Sequence, residues 1–361
     1  MIYDSSLIGK KQSVVDEILL LNAYQTPLIN LIGFGQPVTQ TTHQWFEDEM
    51  FAVQSTVNGA KLASDTAIVV ADAEPFRANQ VVKIGDELLL VTAVNAGTKT
   101  LTVTRGYAGT TAAAIADGAS VDVMFVEGTE GADARAARYK ARVAKSNYTQ
   151  IFDDTVEVTG TAESVTQYGI TDLYQNEKVK KQLELALQLE NAAINGVAYQ
   201  NGNVRQMKGI RNWIASNVTD ASNNALTADM INDSLQDIFE AGGFKTGGNY
   251  KIIVPAKQKR AISGFSNSQI YITQAENVRG QKVDMFVSDF GQFEITLNNN
   301  LKPDELFIVD INRVSLRPLN GREFFHKFLG DKGDYVQGML VGEYTLEFLQ
   351  EKAHARIKKL A

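Results

Sequence analysis

Apolar residues recur along this chain with two different periods. Between residues 67 and 125 they fall in short runs at 81–84, 87–94, 100–104 and 121–125, broken by Gly85-Asp86 and Asn95-Ala96-Gly97. Such runs between turn residues predict β-strands. In the third run Leu101 and Val103 alternate with Thr100, Thr102 and Thr104, the period-two pattern of a strand with one buried face. Together the runs predict a small all-β, barrel-like insertion over 64–126. A further alternating strand is expected at 155–159. From 171 to 199 no proline intervenes, and Val179, Leu183, Ala186, Leu187, Glu190, Ile194 and Val197 mark one helical stripe. At 1.5 Å per residue that helix is on the order of 40 Å long. Glu190 interrupts the stripe, so it is read either as an edge position whose carboxylate reaches water or as the partner of a cation across an interface.

The second half of the chain mixes the two periods. Thr227 is placed to cap a helix whose buried face is Met230, Ile231, Leu235, Ile238 and Phe239, with Gly242-Gly243 ending it. A strand at 250–254 runs into Pro255, which starts a second helix. Strands follow at 283–287, 292–297 and 305–309, and a long final strand at 336–348. The architecture expected is α+β. At the other end, Val14, Val15, Ile18 and Leu19 have helical spacing and Pro27 stops that helix. The apolar segment 25–37 is too short to close a core and must lie against its own chain or a neighbour.

Composition narrows the function classes. The chain has 361 residues, 44% of them hydrophobic, with no stretch near the roughly 18–20 apolar residues a membrane helix needs. Lys and Arg number 35 against 42 Asp and Glu, a net charge of −7, so sequence-reading nucleic-acid binding is not indicated. Cysteine is absent, which removes disulfides, thiolate nucleophiles and Cys metal sites, and fits a reducing cytoplasm. The first residues carry no secretory signal pattern, so the protein is expected to stay in the cell that makes it.

The search for catalytic chemistry returns little. Asp289-Phe290-Gly291 spells a kinase magnesium triplet, but the glycine-rich loop, strand lysine and His-Arg-Asp loop are missing, so it reads as a strand-to-turn junction. The segment 242–248 holds glycines beside Lys245-Thr246 but has neither the spacing nor the strand-before-helix order of a phosphate loop. Asp153-Asp154 and Glu47-Asp48-Glu49 lack ligand spacing and read as solvated faces. His354, among Glu351, Lys352, Arg356, Lys358 and Lys359, reads as a solvated basic terminus or a contact to phosphate or an acidic neighbour. No enzyme activity, cofactor or metal is expected.

Several segments in order carry a family resemblance. These are Thr26-Pro27-Leu28-Ile29-Asn30-Leu31-Ile32-Gly33, Thr42-His43-Gln44-Trp45, Asn147-Tyr148-Thr149-Gln150-Ile151-Phe152, Val156-Glu157-Val158-Thr159-Gly160-Thr161, Tyr168-Gly169-Ile170, Met207-Lys208-Gly209-Ile210-Arg211-Asn212-Trp213-Ile214, Ser288-Asp289-Phe290-Gly291 and Gly342-Glu343-Tyr344-Thr345-Leu346. In that order the chain resembles the major head proteins of tailed bacteriophages in the SU10-like group, outside the β-insert. The resemblance implies the Hong Kong 97-type capsid fold. Its parts are an N-terminal arm (1–35), an extended loop (36–150) bearing the insert at 64–126, a peripheral domain (151–203) with a spine helix at 171–199, an axial domain (204–330), and a return to the peripheral domain (331–361). It implies a capsid subunit that assembles with itself into hexamers and pentamers to form an icosahedral head around double-stranded DNA. Portal, scaffolding and decoration proteins are the further partners it leaves room for; contact with DNA is nonspecific and salt-sensitive, and no membrane is involved.

Assembly contacts are then expected from the arm, with Leu28, Ile29, Leu31, Ile32 and Phe34 as anchors, from Trp45 and Phe51 in the extended loop, and from Glu190. Trp45 is equally read as packing inside its own chain. No lysine and asparagine match the cross-linking pair of the type fold, so no isopeptide bond is expected. Two rival functions remain: a carbohydrate- or host-surface-binding protein acting through the β-insert and Tyr107, and a hydrolase using Glu47, Asp48 or Asp153.

Overall fold

A computed structural model describes residues 26–131, 133–165, 170, 172–244, 248–265, 285–331 and 333–361. The helical pattern at 14–19 lies outside them, as does the Lys245-Thr246 pair. The chain divides into two compact units, one of residues 46–144 and one formed by 1–45 with 145–361.

In the 46–144 unit the four predicted runs become the strands Gln80–Ile84, Glu87–Asn95, Thr100–Thr104 and Ser120–Val126. Gln54–Thr56 and Ala67–Val69 join them. The antiparallel order is 54–56, 120–126, 80–84, 87–95, 100–104, 67–69, and a bridge between Val57 and Val70 brings the two end strands together, giving a barrel. The sheet therefore begins at Gln54, ahead of the expected start at 64. The core contains Val82, Leu89, Val91, Leu101, Val103 and Val121. Beside it the Arg105 guanidinium and the Glu87 carboxylate form a buried two-pronged pair, both bonds 2.7 Å. Arg105 also donates to the carbonyls of Leu62, Asp65 and Ala113, while Glu87 accepts from the amides of Gly106 and Ala113. The Arg105 hydrogen bond is the main reason the Glu87 carboxyl lies below its ordinary pKa, outweighing the opposing effect of burial. One charged pair thus closes loops the apolar core does not reach. Gly106 turns here with φ 65°, where a Cβ would stand 2.8 Å from the Thr110 carbonyl oxygen.

The other unit holds two sheets. In the first, the long strand Tyr335–Phe348 pairs antiparallel with Val314–Pro318, Phe325–Asp331 and Gln150–Thr159. The long helix is Leu173–Asn195, capped by Asp172, whose carboxylate accepts from the Gln175 amide at 2.9 Å. It is shorter than expected, and its stripe is displaced. Leu185, Leu189, Glu190, Ala193 and Ile194 are buried, whereas Val179, Leu183 and Val197 are exposed. Only the C-terminal half of the helix enters the core with Trp213, Leu316 and Phe348, so the buried face is selected by depth as well as by period.

The second sheet has the order Val218–Asp220, Ala355–Lys358, Leu306–Asp310, Tyr250–Val254, Gly291–Leu297, Met285–Ser288. The helix Ala228–Glu240 begins at Thr227, whose hydroxyl accepts from the Met230 amide. It buries Ile231, Leu235 and Ile238, but Phe239 is exposed, against expectation. Pro255 precedes the helix Ala256–Ser263. The sheets do not follow a cut at residue 330: Val314–Pro318 and Phe325–Asp331 belong with the long strand, and the C-terminal strand joins the second sheet through Ala355 and Ile357.

Candidate assembly surfaces

Pro27 opens a short helix, Pro27–Ile32, rather than only closing an earlier one, because a proline at the first helical position loses no hydrogen bond. Gly33, at φ 62°, ends it. The chain then runs parallel to Val314–Pro318, with the Gly35 amide 2.7 Å from the Leu316 carbonyl and the Val38 amide 2.8 Å from that of Pro318.

The expected anchors separate here. Leu28 and Ile29 are buried in the chain's own core, Leu31 and Ile32 pack at its margin, and Phe34 is 57% exposed. The segment does bury itself, and the reason is Glu190. This carboxylate is neither an edge group nor paired with a cation. It is fully buried, accepting from the Leu28 amide at 3.0 Å, the Ile29 amide at 2.9 Å and the Asn298 side-chain amide at 2.8 Å. Burial raises its pKa despite these bonds. A carboxylate in an apolar stripe gives no sign of which distant amides it will meet.

Trp45 is also internal, its ring 5.3 Å from that of Trp213, which stacks on Phe348 at 6.2 Å. Phe51 is half-buried, with the Arg138 guanidinium 4.1 Å over its ring. Phe34 lies against Tyr344 at 5.6 Å, and Phe324 covers the same tyrosine at 4.9 Å, so the two rings form an aromatic cluster around Tyr344. Other exposed apolar residues are Phe46 near the end of the strand Thr42–Glu47, Met50 and Val53 in the segment that follows it, and Phe325, Phe328 and Leu329 on the strand Phe325–Asp331.

One face of the long strand carries Glu343 and Glu347. Glu343 accepts from Thr149 at 2.6 Å and Arg205 at 2.9 Å and pairs with Arg322 at 2.9 Å. Glu347 pairs with Arg317 at 2.8 Å and with His43. Burial alone would raise the Glu347 carboxyl, but the His43 hydrogen bond and the Arg317 charge hold it below its ordinary value. The strand that carries them was legible in sequence; their partners, up to 304 positions away, were not.

The chemistry candidates resolve as structure. Asp289-Phe290-Gly291 spans the turn of a hairpin between Met285–Ser288 and Gly291–Leu297. Tyr107 donates to Glu127 at 3.2 Å. Among the described residues no group of three or more His, Asp or Glu is placed to hold a metal. His354 is not on a solvated tail but wholly buried, because the C-terminal strand folds back into the second sheet.

The fold is one found among capsid subunits. Over 97% of both chains it resembles the capsid protein of cyanophage A-1(L) (TM-score 0.56, 10% identity). It also resembles the capsid of an empty GTA particle (TM-score 0.51, 8% identity, 99% of this chain and 97% of that one) and a chain of Microbacterium phage Oxtober96 (0.51, 10%, 99% and 97%). The family follows from the sequence itself: residues 2–361 match the SU10 major capsid protein, and the chain belongs to that family. It is a shell-forming capsid protein of the Hong Kong 97-like class. No curated protein matches it.

Proposed function

We propose that this major capsid protein assembles with itself into hexameric and pentameric capsomers, which close into an icosahedral head around double-stranded DNA. Family membership over the whole chain supports this reading, and so does the distribution of exposed apolar side chains. Phe34, Phe46, Met50 and Phe328 are large apolar groups left in water by the isolated chain, a cost that neighbouring copies remove. In this reading residues 1–35 are the arm and 36–150 the extended loop with its inserted barrel. The sheet around Tyr335–Phe348 with the helix Leu173–Asn195 is the peripheral domain, and the second sheet the axial domain. Family membership likewise favours a structural over a catalytic role. No helix of the described residues is long and apolar enough to cross a membrane. DNA contact is nonspecific and weakens with salt, and portal, scaffolding and decoration proteins are the remaining partners.

The test is negative-stain microscopy of the purified chain, alone and co-expressed with its neighbouring genes. Capsomer rings or closed shells are expected. A monomer that persists at every concentration and in every combination refutes self-assembly.

A further inference from the structure

An asparagine followed by glycine carries its own electrophile and nucleophile. The glycine main-chain nitrogen attacks the asparagine side-chain carbonyl carbon, ammonia leaves, and water then opens the resulting ring. Glycine favours this because no Cβ crowds the nitrogen and the backbone there turns freely. The chain holds four such pairs: Asn58-Gly59, Asn195-Gly196, Asn201-Gly202 and Asn320-Gly321. Folding treats them differently.

A nitrogen whose hydrogen is already donated to an acceptor is held back from attack. The Gly59 amide donates to Asp117 Oδ1 at 2.7 Å, and the Gly196 amide to the Ala192 carbonyl at 2.9 Å. Asn320-Gly321 lies in a turn pinned on both sides. There the Asn320 amide donates to the Val38 carbonyl at 2.9 Å, the Arg322 amide to the Leu319 carbonyl at 2.8 Å, and the Leu319 amide to the Glu343 carbonyl at 2.9 Å. The Gly202 amide, by contrast, has no acceptor among the described residues.

The surroundings of Gly202 add to the difference. Tyr199–Asn201 and Val204–Gln206 form a two-stranded sheet of their own, with Gly202 turning between them at φ 54°. Residues 197–204 are all exposed. A lone hairpin is marginally stable in water, and a segment with so little packed against it opens before the rest of the fold. Its root is fastened, Arg205 pairing with Glu343 at 2.9 Å and the Met207 amide donating to Gln150 at 3.2 Å. The tip can therefore leave the strand conformation without disturbing the sheets.

We propose that Asn201 is a site of spontaneous deamidation in the folded chain. The Gly202 nitrogen gives up its proton to water and bonds to Asn201 Cγ; the Cγ–Nδ2 bond breaks, and Nδ2 takes up a proton and leaves as ammonia. Water adding to Cγ of the cyclic imide gives an aspartyl residue at 201. Water adding to the main-chain carbonyl carbon gives an isoaspartyl residue, whose backbone runs through the side chain and is one carbon longer. Water is the sole co-reactant. Either product adds one negative charge to a chain already at −7. The isoaspartyl form also lengthens one strand at the turn, so 199–201 loses its register with 204–206. Each subunit thereby records its age at one exposed point, whether or not it assembles.

The test incubates the full chain in mildly alkaline buffer, folded and in urea, and follows it by isoelectric focusing and peptide mapping. In urea the four pairs are expected to convert at comparable rates. In the folded chain Asn201 is expected to convert at least about tenfold faster than the other three, whose amides are released only by larger openings. Asn201→Gln and Gly202→Ala should each remove the acidic band, and Asn320→Gln should leave it. Because alanine is strained at φ 54°, the exposed Asn201→Gln keeps the test independent of the stability of the turn. A folded chain in which Asn201 converts no faster than Asn58, Asn195 or Asn320, or an acidic band that persists in Asn201→Gln, overturns the assignment.

Discussion

His354 uses both ring nitrogens inside the protein. Nδ1 accepts from the Asp310 amide at 3.2 Å, Nε2 donates to the Leu349 carbonyl at 3.1 Å, and the ring lies 4.3 Å from Phe348. Burial, reinforced by the Arg313 charge, lowers its pKa from 6.5 to about 3. The unfolded chain therefore takes up a proton near 6.5 and the folded chain does not until about 3. This stabilisation is complete above 6.5 and is lost as pH falls toward 3, with a slope of up to about 1.4 kcal/mol per pH unit. Both tryptophans lie in the core that also holds Phe348, so urea unfolding followed by tryptophan fluorescence at pH 7, 6 and 5 reads the effect directly. The slope should flatten in His354→Gln; equal slopes in the two proteins would refute the assignment.

Gly338 is a second residue-scale constraint. A Cβ there would overlap the Tyr174 hydroxyl and stand 2.5 Å from His326 Nε2, because Tyr174 crosses the strand at that point to reach His326 at 2.8 Å. Gly338→Ala is expected to destabilise the unit by about 1–3 kcal/mol. Adding Tyr174→Phe should recover part of the loss, since the atom most in the way is the hydroxyl oxygen. Denaturation midpoints of the two variants decide it, and no recovery would place the strain elsewhere.

At the scale of elements, Glu190 joins three segments that are far apart in sequence: the helix Pro27–Ile32, the long helix and the turn at Asn298. Replacing it by alanine leaves two buried backbone amides and the Asn298 side-chain amide without this acceptor, at about 1–3 kcal/mol each. Glu190→Ala should therefore speed hydrogen exchange at 28–33, with little change in the 46–144 unit. Unchanged exchange at 28–33 would mean that the seat is held by apolar packing alone. The elements themselves were largely visible in sequence. The strand 250–254 and the threonine cap at 227 follow from local alternation and local side-chain chemistry, and the structure repeats both. The long helix was visible as a helix, but its buried face was not, because the half that enters the core is selected by what packs on it.

For the whole molecule, two compact units, the barrel with one hydrophobic core and the other unit with two, imply two unfolding transitions. The barrel has no tryptophan, whereas both tryptophans sit in the other unit, so calorimetry should show two steps and tryptophan fluorescence only one. Glu87→Gln leaves the buried Arg105 guanidinium without its charge partner. It is expected to destabilise the barrel step by about 3–5 kcal/mol and leave the fluorescence transition in place. A fluorescence transition that moved with the barrel would show that the units unfold as one.

The sequence by itself determined the strands of the barrel, the presence of the long helix and, through the order of its motifs, the family. Each rests on local spacing or on motif order, and both survive in one dimension. Only the tertiary structure decided that Leu28, Ile29 and Trp45 turn inward, that Glu190 holds the helix Pro27–Ile32, that His354 is buried, and that the last strand returns to the second sheet. Those outcomes depend on pairings between residues up to hundreds of positions apart. A buried carboxylate or imidazole looks the same in sequence as a solvated one, because what separates them is the set of donors and acceptors that folding brings alongside.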